Sequence, residues 1–278
     1  MVTTFQLNPD AVMREMARHL TMGQASEELP EGAYTTFRTY QAKRVLRIDQ
    51  HLHRLEESLA LSQQHAPPIN SHLARMAVGR IISMLHYPEA RLRLTYAPSG
   101  LYISIEPFTP YPESLYDAGV WCATVSLHRD NPHAKSTTFI TTAADAYGAL
   151  PPNTHEGLMI AGDGAVLEGL SSNFFAVKDA QASQGPALYT EDARVLAGVT
   201  RSLVLELAQG VLPVAKQAVT YAALTDLSEC FITSVSREVM PVVKIDELQI
   251  GNGKPGPVTR SLRQKFQDLV EREAETLL

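Results

Sequence analysis

The chain has 278 residues, enough to bury a substantial core, and this length favours one or two domains. Its 45% hydrophobic and 19% charged residues are typical of a globular protein, and a net charge of -6 without a basic run argues against nucleic-acid binding. No apolar stretch approaches the roughly 18 residues of a membrane span, and residues 1–10 lack the basic and apolar regions of a secretory signal, so the sequence predicts a cytoplasmic protein.

Two cysteines and nine histidines give no sign of a disulfide framework or a metal site. Cys122 and Cys230 each lie in an apolar, strand-like run, which predicts two buried, reduced thiols. The histidines show neither a His-Glu-x-x-His sequence nor the Cys/His spacing of a zinc site, so no metal is expected.

The first part of the sequence alternates between helical and strand-like patterns. Residues 9–24 are predicted to form a helix, because apolar residues recur at helical spacing between Val12 and Leu20. The alternating, Thr- and Tyr-rich residues 33–47 predict a hairpin. The other elements predicted here are helices at 48–63 and 70–86 and strands at 90–97 and 101–106.

Residues 107–118 contain three prolines and interrupt the pattern. We interpret them as a linker between a small N-terminal α/β domain, residues 1–110, and a larger domain, residues 119–278. The mixed order of elements predicts an α+β fold rather than a regular βαβ winding. The larger domain is predicted to contain strands at 119–127, 157–161, 165–168, 173–178, 187–189 and 229–235 and helices at 138–150, 199–209, 221–226 and 258–277.

Lys135 lies soon after a predicted strand and at the start of a predicted helix, in the sequence Asn131-Pro-His-Ala-Lys-Ser-Thr-Thr-Phe139. Most lysines are solvated surface charges. A lysine in this position can lose solvent, however, as the amine of a Schiff base must. Lys135 is therefore a candidate for carrying a cofactor.

An acid and a glycine-led helix follow the lysine in the sequence. Glu168 ends a predicted strand and, taken alone, would be a surface carboxylate. Gly198, Val199 and Thr200 open a predicted helix, whose N-terminal amides suit a phosphate, although Thr200 could equally be an ordinary helix cap. A lysine, an acid and a helix start in this order are the parts that hold pyridoxal phosphate, through a Schiff base, the ring nitrogen and the phosphate.

Hydroxyl and arginine side chains elsewhere could complete a phosphate site. Ser236 lies where the strand predicted at 229–235 ends. Arg54 lies on the helix predicted at 48–63, and a guanidinium can contact phosphate through two parallel hydrogen bonds. An arginine on an amphipathic helix is more often a surface residue, so Arg54 is a candidate only together with the other parts.

Taken together, these stretches resemble the class IV, or fold type IV, pyridoxal-phosphate enzymes. That family includes branched-chain aminotransferases, D-amino-acid aminotransferases and aminodeoxychorismate lyase. The resemblance runs from about Tyr34 to the C-terminus. Its most specific sequences are His51-Leu-His-Arg-Leu55, Glu168-Gly169, Ser172-Asn-Phe174, Gly198-Val-Thr-Arg201 and Thr233-Ser-Val-Ser-Arg-Glu-Val-Met-Pro-Val242.

The resemblance implies an α+β, two-domain fold, with a small N-terminal α/β domain and a larger, pseudo-barrel-like C-terminal domain, and a homodimer. It implies that Lys135 binds pyridoxal 5′-phosphate covalently and later moves the proton between the substrate Cα and the cofactor C4′. Glu168 would pair with the ring nitrogen. The remaining cofactor-binding residues implied by the resemblance are Arg54, Val199, Thr200 and Ser236 at the phosphate and Leu196 against the ring.

Three features depart from the family pattern. A Phe-Ile pair at 139–140 stands where branched-chain aminotransferases have an Asn-Tyr whose hydroxyl contacts the cofactor, so this hydroxyl must come from elsewhere, with Tyr34 as one option. Ser236 and the valine before it stand where a pair beginning with threonine is usual, which removes one hydroxyl. The helix predicted at 9–24 takes the place of the customary N-terminal strand pair.

Arginines on two predicted strands are candidates for binding a substrate carboxylate. Alternation in the first strand places Tyr34 and Arg38 on one face, and Arg91 and Arg93 share a face of the strand at 90–97. These arginines could equally lie on the solvated side of a sheet. The four residues are nevertheless the candidates for contacting an amino-acid or 2-oxo-acid substrate.

Three functions are compatible with these features. The leading hypothesis is an aminotransferase that exchanges the amino group between an amino acid, either branched-chain L- or D-, and a 2-oxo acid by a ping-pong mechanism. The alternative is a lyase that converts 4-amino-4-deoxychorismate to 4-aminobenzoate and pyruvate, since Tyr34-Thr-Thr-Phe-Arg38 and Asn131-Pro-His133 resemble the lyases. A protein that binds the cofactor without turnover is the third, although it would have no reason to keep Lys135 and Glu168.

Overall fold

The computed structural model describes residues 1–8, 12–179 and 186–277. The chain divides into two compact units. The first comprises residues 1–110, 133–142 and 269–278, and the second comprises residues 111–132 and 143–268. No helix within the described ranges is long and apolar enough to cross a membrane.

The described part of the first unit contains a seven-stranded antiparallel sheet. With the elements numbered in chain order, its strands are β1 (Val2–Leu7), β2 (Met13–His19), β3 (Ala33–Tyr40), β4 (Arg44–Val45), β5 (Ala90–Ala97), β6 (Gly100–Pro107) and β16 (Glu275–Thr276). Their order in the sheet is β16-β4-β3-β5-β6-β1-β2. The helices of this unit are α1 (Met22–Glu27), α2 (Ile48–Leu61) and α3 (Ser71–Leu85).

Strict alternation of side chains gives this sheet one apolar and one polar face. Leu92 and Leu94 of β5 are fully buried and lie beside apolar residues of β6. Thr35 pairs with Leu94 in register, so Thr35 projects from the apolar face, towards α2. Tyr34, one residue earlier, projects from the opposite face, beside Thr95. The predicted division of β3 into two faces is therefore confirmed.

The helix predicted at 9–24 is wrong. Residues 13–19 form strand β2, which pairs with β1, and only the last part of the range contributes to helix α1, while residues 9–11 lie outside the described ranges. Met16 and Leu20, which fitted a helical stripe, are 48% and 75% exposed. Backbone pairing with β1 thus overrides the local helical preference. The N-terminal strand pair that seemed to be replaced is present.

The described part of the second unit contains a nine-stranded sheet. Its strands are β7 (Val120–Val125), β8 (Glu156–Ile160), β9 (Val166–Gly169), β10 (Asn173–Lys178), β11 (Ala187–Tyr189), β12 (Val214–Ala215), β13 (Glu229–Ser234), β14 (Glu238–Ile245) and β15 (Leu248–Gln249). Its helical segments are α4 (Glu113–Ala118), α6 (Val199–Ala208) and a 3-10 turn at Tyr221–Asp226. Helices α5 (Thr138–Gly148) and α7 (Pro257–Glu273) contribute residues to both units.

Six of these strands close into a barrel. Strand β9 pairs with β8 on one side and with β10 on the other, which closes the path β10-β13-β14-β7-β8-β9. Cys122 and Cys230 are buried in the apolar core of this unit and are not disulfide-bonded, as predicted. The predicted α+β fold with a barrel-like larger part is confirmed.

The short strands β12 and β15 were not predicted, and two longer segments of this unit also differ from the sequence-based expectation. The proline-rich residues 107–118, interpreted as a linker, include helix α4, and its Tyr116 is buried in the core. Strand β14 was not predicted, and it contains Pro241, a residue that cannot donate a ladder hydrogen bond. In the structure Pro241 lies directly opposite Phe231 of β13.

Phe231→Ala is expected to destabilise the protein strongly. Phe231 is fully buried and stacks on Phe175 of the neighbouring strand at 4.9 Å between ring centroids. Removing the ring leaves a cavity that the barrel cannot close, so the free energy of unfolding should fall by about 3–5 kcal/mol in urea denaturation. Val211→Ala, at a residue that is 43% exposed, is the control and should change it by about 0.5 kcal/mol or less. A loss below about 1 kcal/mol for Phe231→Ala would contradict this packing.

Candidate functional site

Lys135 is held in the first unit by hydrogen bonds of its backbone. Its carbonyl oxygen accepts from the Tyr34 amide at 2.9 Å, and its amide donates to Ser58 Oγ at 3.2 Å. The next residue forms an isolated bridge with Ala33. The lysine is therefore anchored to both β3 and α2. Its Nζ lies 4.5 Å from the centroid of the Tyr34 ring, within the range of a cation–π contact.

Arg54 of α2 lies in the same unit and is half-buried. Its Nη2 donates to Thr35 Oγ1 at 2.5 Å, and its Nε is buried with no hydrogen-bond partner among the described residues. Burial lowers the pKa of Arg54 to about 10, although Tyr34 and Glu57 oppose this shift. A buried arginine with an unused donor is stabilised by an anion that accepts a hydrogen bond from that donor.

His51 lies one helical turn before Arg54 and is 2% exposed. Its Nδ1 is 2.7 Å from Thr35 Oγ1, and its ring packs against Phe37 at 5.3 Å between centroids. Burial, followed by the charges of Arg54 and Lys135, lowers the pKa of His51 well below its ordinary value of 6.5. The imidazole is therefore neutral at physiological pH.

Glu168 forms the centre of a second cluster, in the second unit. It is 2% exposed, and its Oε1 accepts from Arg129 Nε at 2.9 Å. Its Oε2 accepts from Asn173 Nδ2 at 3.0 Å and from the Leu196 amide at 3.1 Å. A buried carboxylate with a paired cation and two further donors keeps its charge and its orientation.

Helix α6 begins next to this carboxylate. Gly198 is its N-cap and, having no side chain, supplies no capping oxygen to the first amides of the helix. A Cβ at Gly198 would lie 2.3 Å from Asn173 Oδ1, which explains why glycine stands here. Leu196, Val199 and Thr200 are all buried around this start.

The structure separates the predicted substrate-binding arginines. Arg93 stacks on Tyr34, with its Cζ 5.0 Å from the ring centroid. Arg91 instead donates to Glu106 at 2.7 Å, and Arg38 stacks on Tyr40 and faces Glu89 at 3.9 Å. Arg93 Nη1 donates to Ser26 Oγ at 2.5 Å, while its Nε is buried and finds no acceptor within the described ranges.

The remaining predicted residue, Ser236, lies half-buried in the turn between β13 and β14. Within the first unit, therefore, Lys135, Tyr34, Arg54 and Arg93 come together. Within the second unit, the residues that come together are Glu168, Leu196, Val199 and Thr200.

Some residues of these clusters were not predicted from the sequence. Arg129 gave no signal, because nothing in its sequence neighbourhood distinguishes a buried arginine from a surface one. Asn173 was placed on the strand predicted at 173–178 and in the Ser172-Asn-Phe174 sequence but was given no role. Thr35 and His51 were placed on elements but given no role, although a histidine on the apolar stripe of a helix indicates a buried polar group that needs a partner.

The family model described as amino-transferase class IV matches residues 32–245 of this chain. Curated relatives are similar over shorter ranges. A putative branched-chain-amino-acid aminotransferase of Methanocaldococcus jannaschii is 30% identical over 166 residues, which are 58% of this chain and 56% of the relative. D-alanine aminotransferase of Staphylococcus haemolyticus is 36% identical over 126 residues, 44% of this chain and 42% of the relative. The chain thus spans about half the length of these relatives.

Solved structures are similar over nearly the whole chain. A putative branched-chain amino acid aminotransferase of Thermotoga maritima has a TM-score of 0.79 at 22% identity. The matched region is 97% of this chain and 96% of the Thermotoga chain. The branched-chain aminotransferase of Thermoproteus uzoniensis with norvaline has a TM-score of 0.78 at 20% identity and covers 99% of both chains. These likenesses show the fold.

Arg129→Met is expected to destabilise the protein by about 3–5 kcal/mol, because it leaves the Glu168 carboxylate buried without its cation. Urea denaturation at neutral pH measures this loss. Arg18→Met is the matched control: Arg18 Nε also pairs with a carboxylate at 2.9 Å, that of Glu15, but the two side chains are 61% and 45% exposed, so the loss should stay below about 1 kcal/mol. If the free energy of unfolding fell equally in the two variants, burial of the Glu168 carboxylate would not be the cause of the loss.

Proposed function

This chain belongs to the amino-transferase class IV family, and from that premise we propose that it is a pyridoxal-phosphate-dependent transaminase. It would exchange the amino group between an amino acid and a 2-oxo acid in a ping-pong mechanism. The observation that carries the proposal is the cluster of the first unit, where an anchored lysine and an arginine with an unused buried donor occur together. An amine and an anion-binding group are what an aldehyde cofactor with a phosphate requires.

The residues fit the phosphate of this cofactor. Arg54 has a buried Nε without a partner among the described residues, and a phosphate oxygen would satisfy it and offset the cost of burying the guanidinium. From the family resemblance we assign the amides of Val199 and Thr200 to the same phosphate, and the start of a helix such as α6 would favour an anion through its dipole. We assign Ser236 to the same phosphate from the family resemblance.

The Glu168 cluster suits a protonated ring nitrogen. When bound, pyridoxal phosphate supplies a pyridine ring that withdraws electrons from the substrate Cα. Glu168 would hold the proton on the ring nitrogen, since Arg129 and Asn173 keep its carboxylate ionised and fixed. Leu196 would pack against the ring.

Lys135 would take up the proton that leaves the substrate Cα. Its backbone hydrogen bonds to Tyr34 and Ser58 fix the origin of its side chain, from which the stem would carry Nζ from Cα to the cofactor C4′. Tyr34, whose ring lies under Nζ, would limit the directions in which the amine can move.

Arg93 would bind the carboxylate of the substrate. Among the arginines assigned to substrate it lies nearest to the Lys135 cluster, through the ring of Tyr34, and its Nε remains buried without an acceptor in the described chain. Arg38 and Arg91 would contribute positive charge, which Glu89 and Glu106 partly neutralise. The names of the relatives support either a branched-chain L-amino acid or a D-amino acid as substrate. The proposal includes a homodimer, which light scattering would detect.

Lys135→Ala tests the proposed cofactor attachment. Wild-type protein loaded with pyridoxal phosphate should be yellow, and borohydride should fix the cofactor to the peptide that contains Lys135, as read by mass spectrometry. Lys135→Ala should lose this adduct, whereas Lys254→Ala, at an exposed lysine, should keep it. Labelling of other lysines only, or no labelling of the wild type, would contradict the proposal.

Arg93→Met should raise the KM for the amino acid by about tenfold or more, because a charge-assisted hydrogen bond contributes about 1.5–3 kcal/mol. Arg91→Met should raise it less, since Glu106 already occupies the Arg91 guanidinium. Steady-state kinetics on both variants measures the difference. A larger effect of Arg91→Met would assign the carboxylate to the other arginine.

A further inference from the structure

Three residues of the first unit form a continuous hydrogen-bond relay. Arg54 Nη2 is 2.5 Å from Thr35 Oγ1, and Thr35 Oγ1 is 2.7 Å from His51 Nδ1. Thr35 and His51 are 0% and 2% exposed, so water does not substitute for either contact. The relay connects strand β3 with two successive turns of helix α2.

Chemistry fixes the direction of every proton in this relay. A guanidinium only donates, so Thr35 Oγ1 accepts from Arg54. The hydroxyl then has one proton to give, and its hydrogen bonds within the described chain leave His51 Nδ1 as the acceptor. His51 Nδ1 therefore carries no proton, and the neutral imidazole carries its proton on Nε2.

The relay holds Arg54 from one side only. The Phe37 ring packs against His51 and β3 holds Thr35, so the acceptor for Arg54 Nη2 has a fixed position. Arg54 Nε, by contrast, has no partner in the part of the chain that is described. Nη2 of Arg54 thus donates to the protein, and Nε remains as a donor for a ligand. A guanidinium that is held in this way is oriented for an anion before the anion binds.

We propose that Thr35 and His51 are positioning residues that orient the Arg54 guanidinium towards the phosphate of the cofactor. This inference rests on the proposed function and deepens it. Neither residue needs to touch the cofactor: Thr35 acts through Arg54, and His51 acts through Thr35. The relay disfavours a proton on His51 Nδ1, because the buried Thr35 hydroxyl would then have no acceptor for its own proton among its hydrogen bonds in the described chain.

The matched pair Thr35→Val and Thr35→Ser tests the first link. Valine has the shape of threonine without the hydroxyl, while serine keeps it. We expect Thr35→Val to bind pyridoxal 5′-phosphate roughly tenfold to a hundredfold more weakly, and Thr35→Ser to bind within about threefold of wild type. Pyridoxal without its phosphate should bind both variants and the wild type equally. Equal weakening for pyridoxal would mean a merely structural role and would overturn the inference.

A double-mutant cycle isolates the link to Arg54. In an Arg54→Met background, Thr35→Val should weaken pyridoxal 5′-phosphate binding no further. Additive losses would overturn the inference. If the wild type itself binds no pyridoxal 5′-phosphate, both the proposed function and this inference are wrong. If the wild type binds it tightly and Thr35→Val binds it equally tightly, only this inference is wrong.

The second link can be measured without ligand and without a variant that might fail to fold. Nitrogen-15 NMR of the apoprotein should show His51 as a neutral imidazole with its proton on Nε2 at neutral pH. His51→Asn, whose amide oxygen can still accept from Thr35, should retain most of the affinity for pyridoxal 5′-phosphate, and His51→Phe should lose it. A proton on Nδ1, or equal affinities for the Asn and Phe variants, would overturn the proposed relay.

Discussion

The cost of burying charge governs both clusters of this protein. Glu168 lies almost fully out of water, and an isolated carboxylate there would be neutralised or would destabilise the barrel. Arg129, Asn173 and the Leu196 amide supply the compensating cation and donors. Because the three come from a loop, a strand and the start of α6, one ionised group fixes the mutual position of all of them. In the second unit, therefore, the buried carboxylate is compensated by one cation and two further donors.

In the first unit the cost of burying a charge is compensated only in part. Arg54 receives one neutral acceptor, Thr35, and its Nε is left unsatisfied within the described residues. Its lowered pKa measures the cost of that arrangement. Arg38 and Arg91 of the same sheet, by contrast, face Glu89 and Glu106. Arg54, like Arg93, has no facing carboxylate and would gain more from a phosphate than Arg38 or Arg91 would, and this difference is the physical basis for proposing Arg54 as a phosphate-binding residue.

Sequence patterns predicted what depends on local periodicity and missed what depends on pairing. Helices α2 and α3 and strand β5 follow from apolar spacing and were predicted closely. Strand β2 was taken for a helix because its edge position leaves its apolar residues exposed, so their spacing carried no information. The sequence also could not show that Arg91 and Arg93 have different partners. The cross-strand register with β6 decides which guanidinium lies beside Glu106, and local spacing does not give that register. The family resemblance supplied Lys135 and Glu168, but no pattern indicated Arg129.

The half-reaction with single amino acids tests the proposed transamination most directly. Protein loaded with pyridoxal phosphate is mixed with L-leucine, L-glutamate or D-alanine in the absence of any 2-oxo acid. The account predicts that at least one of them converts the bound cofactor to its amine form and releases one equivalent of its 2-oxo acid per chain. No conversion with any amino acid, together with release of pyruvate from 4-amino-4-deoxychorismate, would contradict it and identify a lyase.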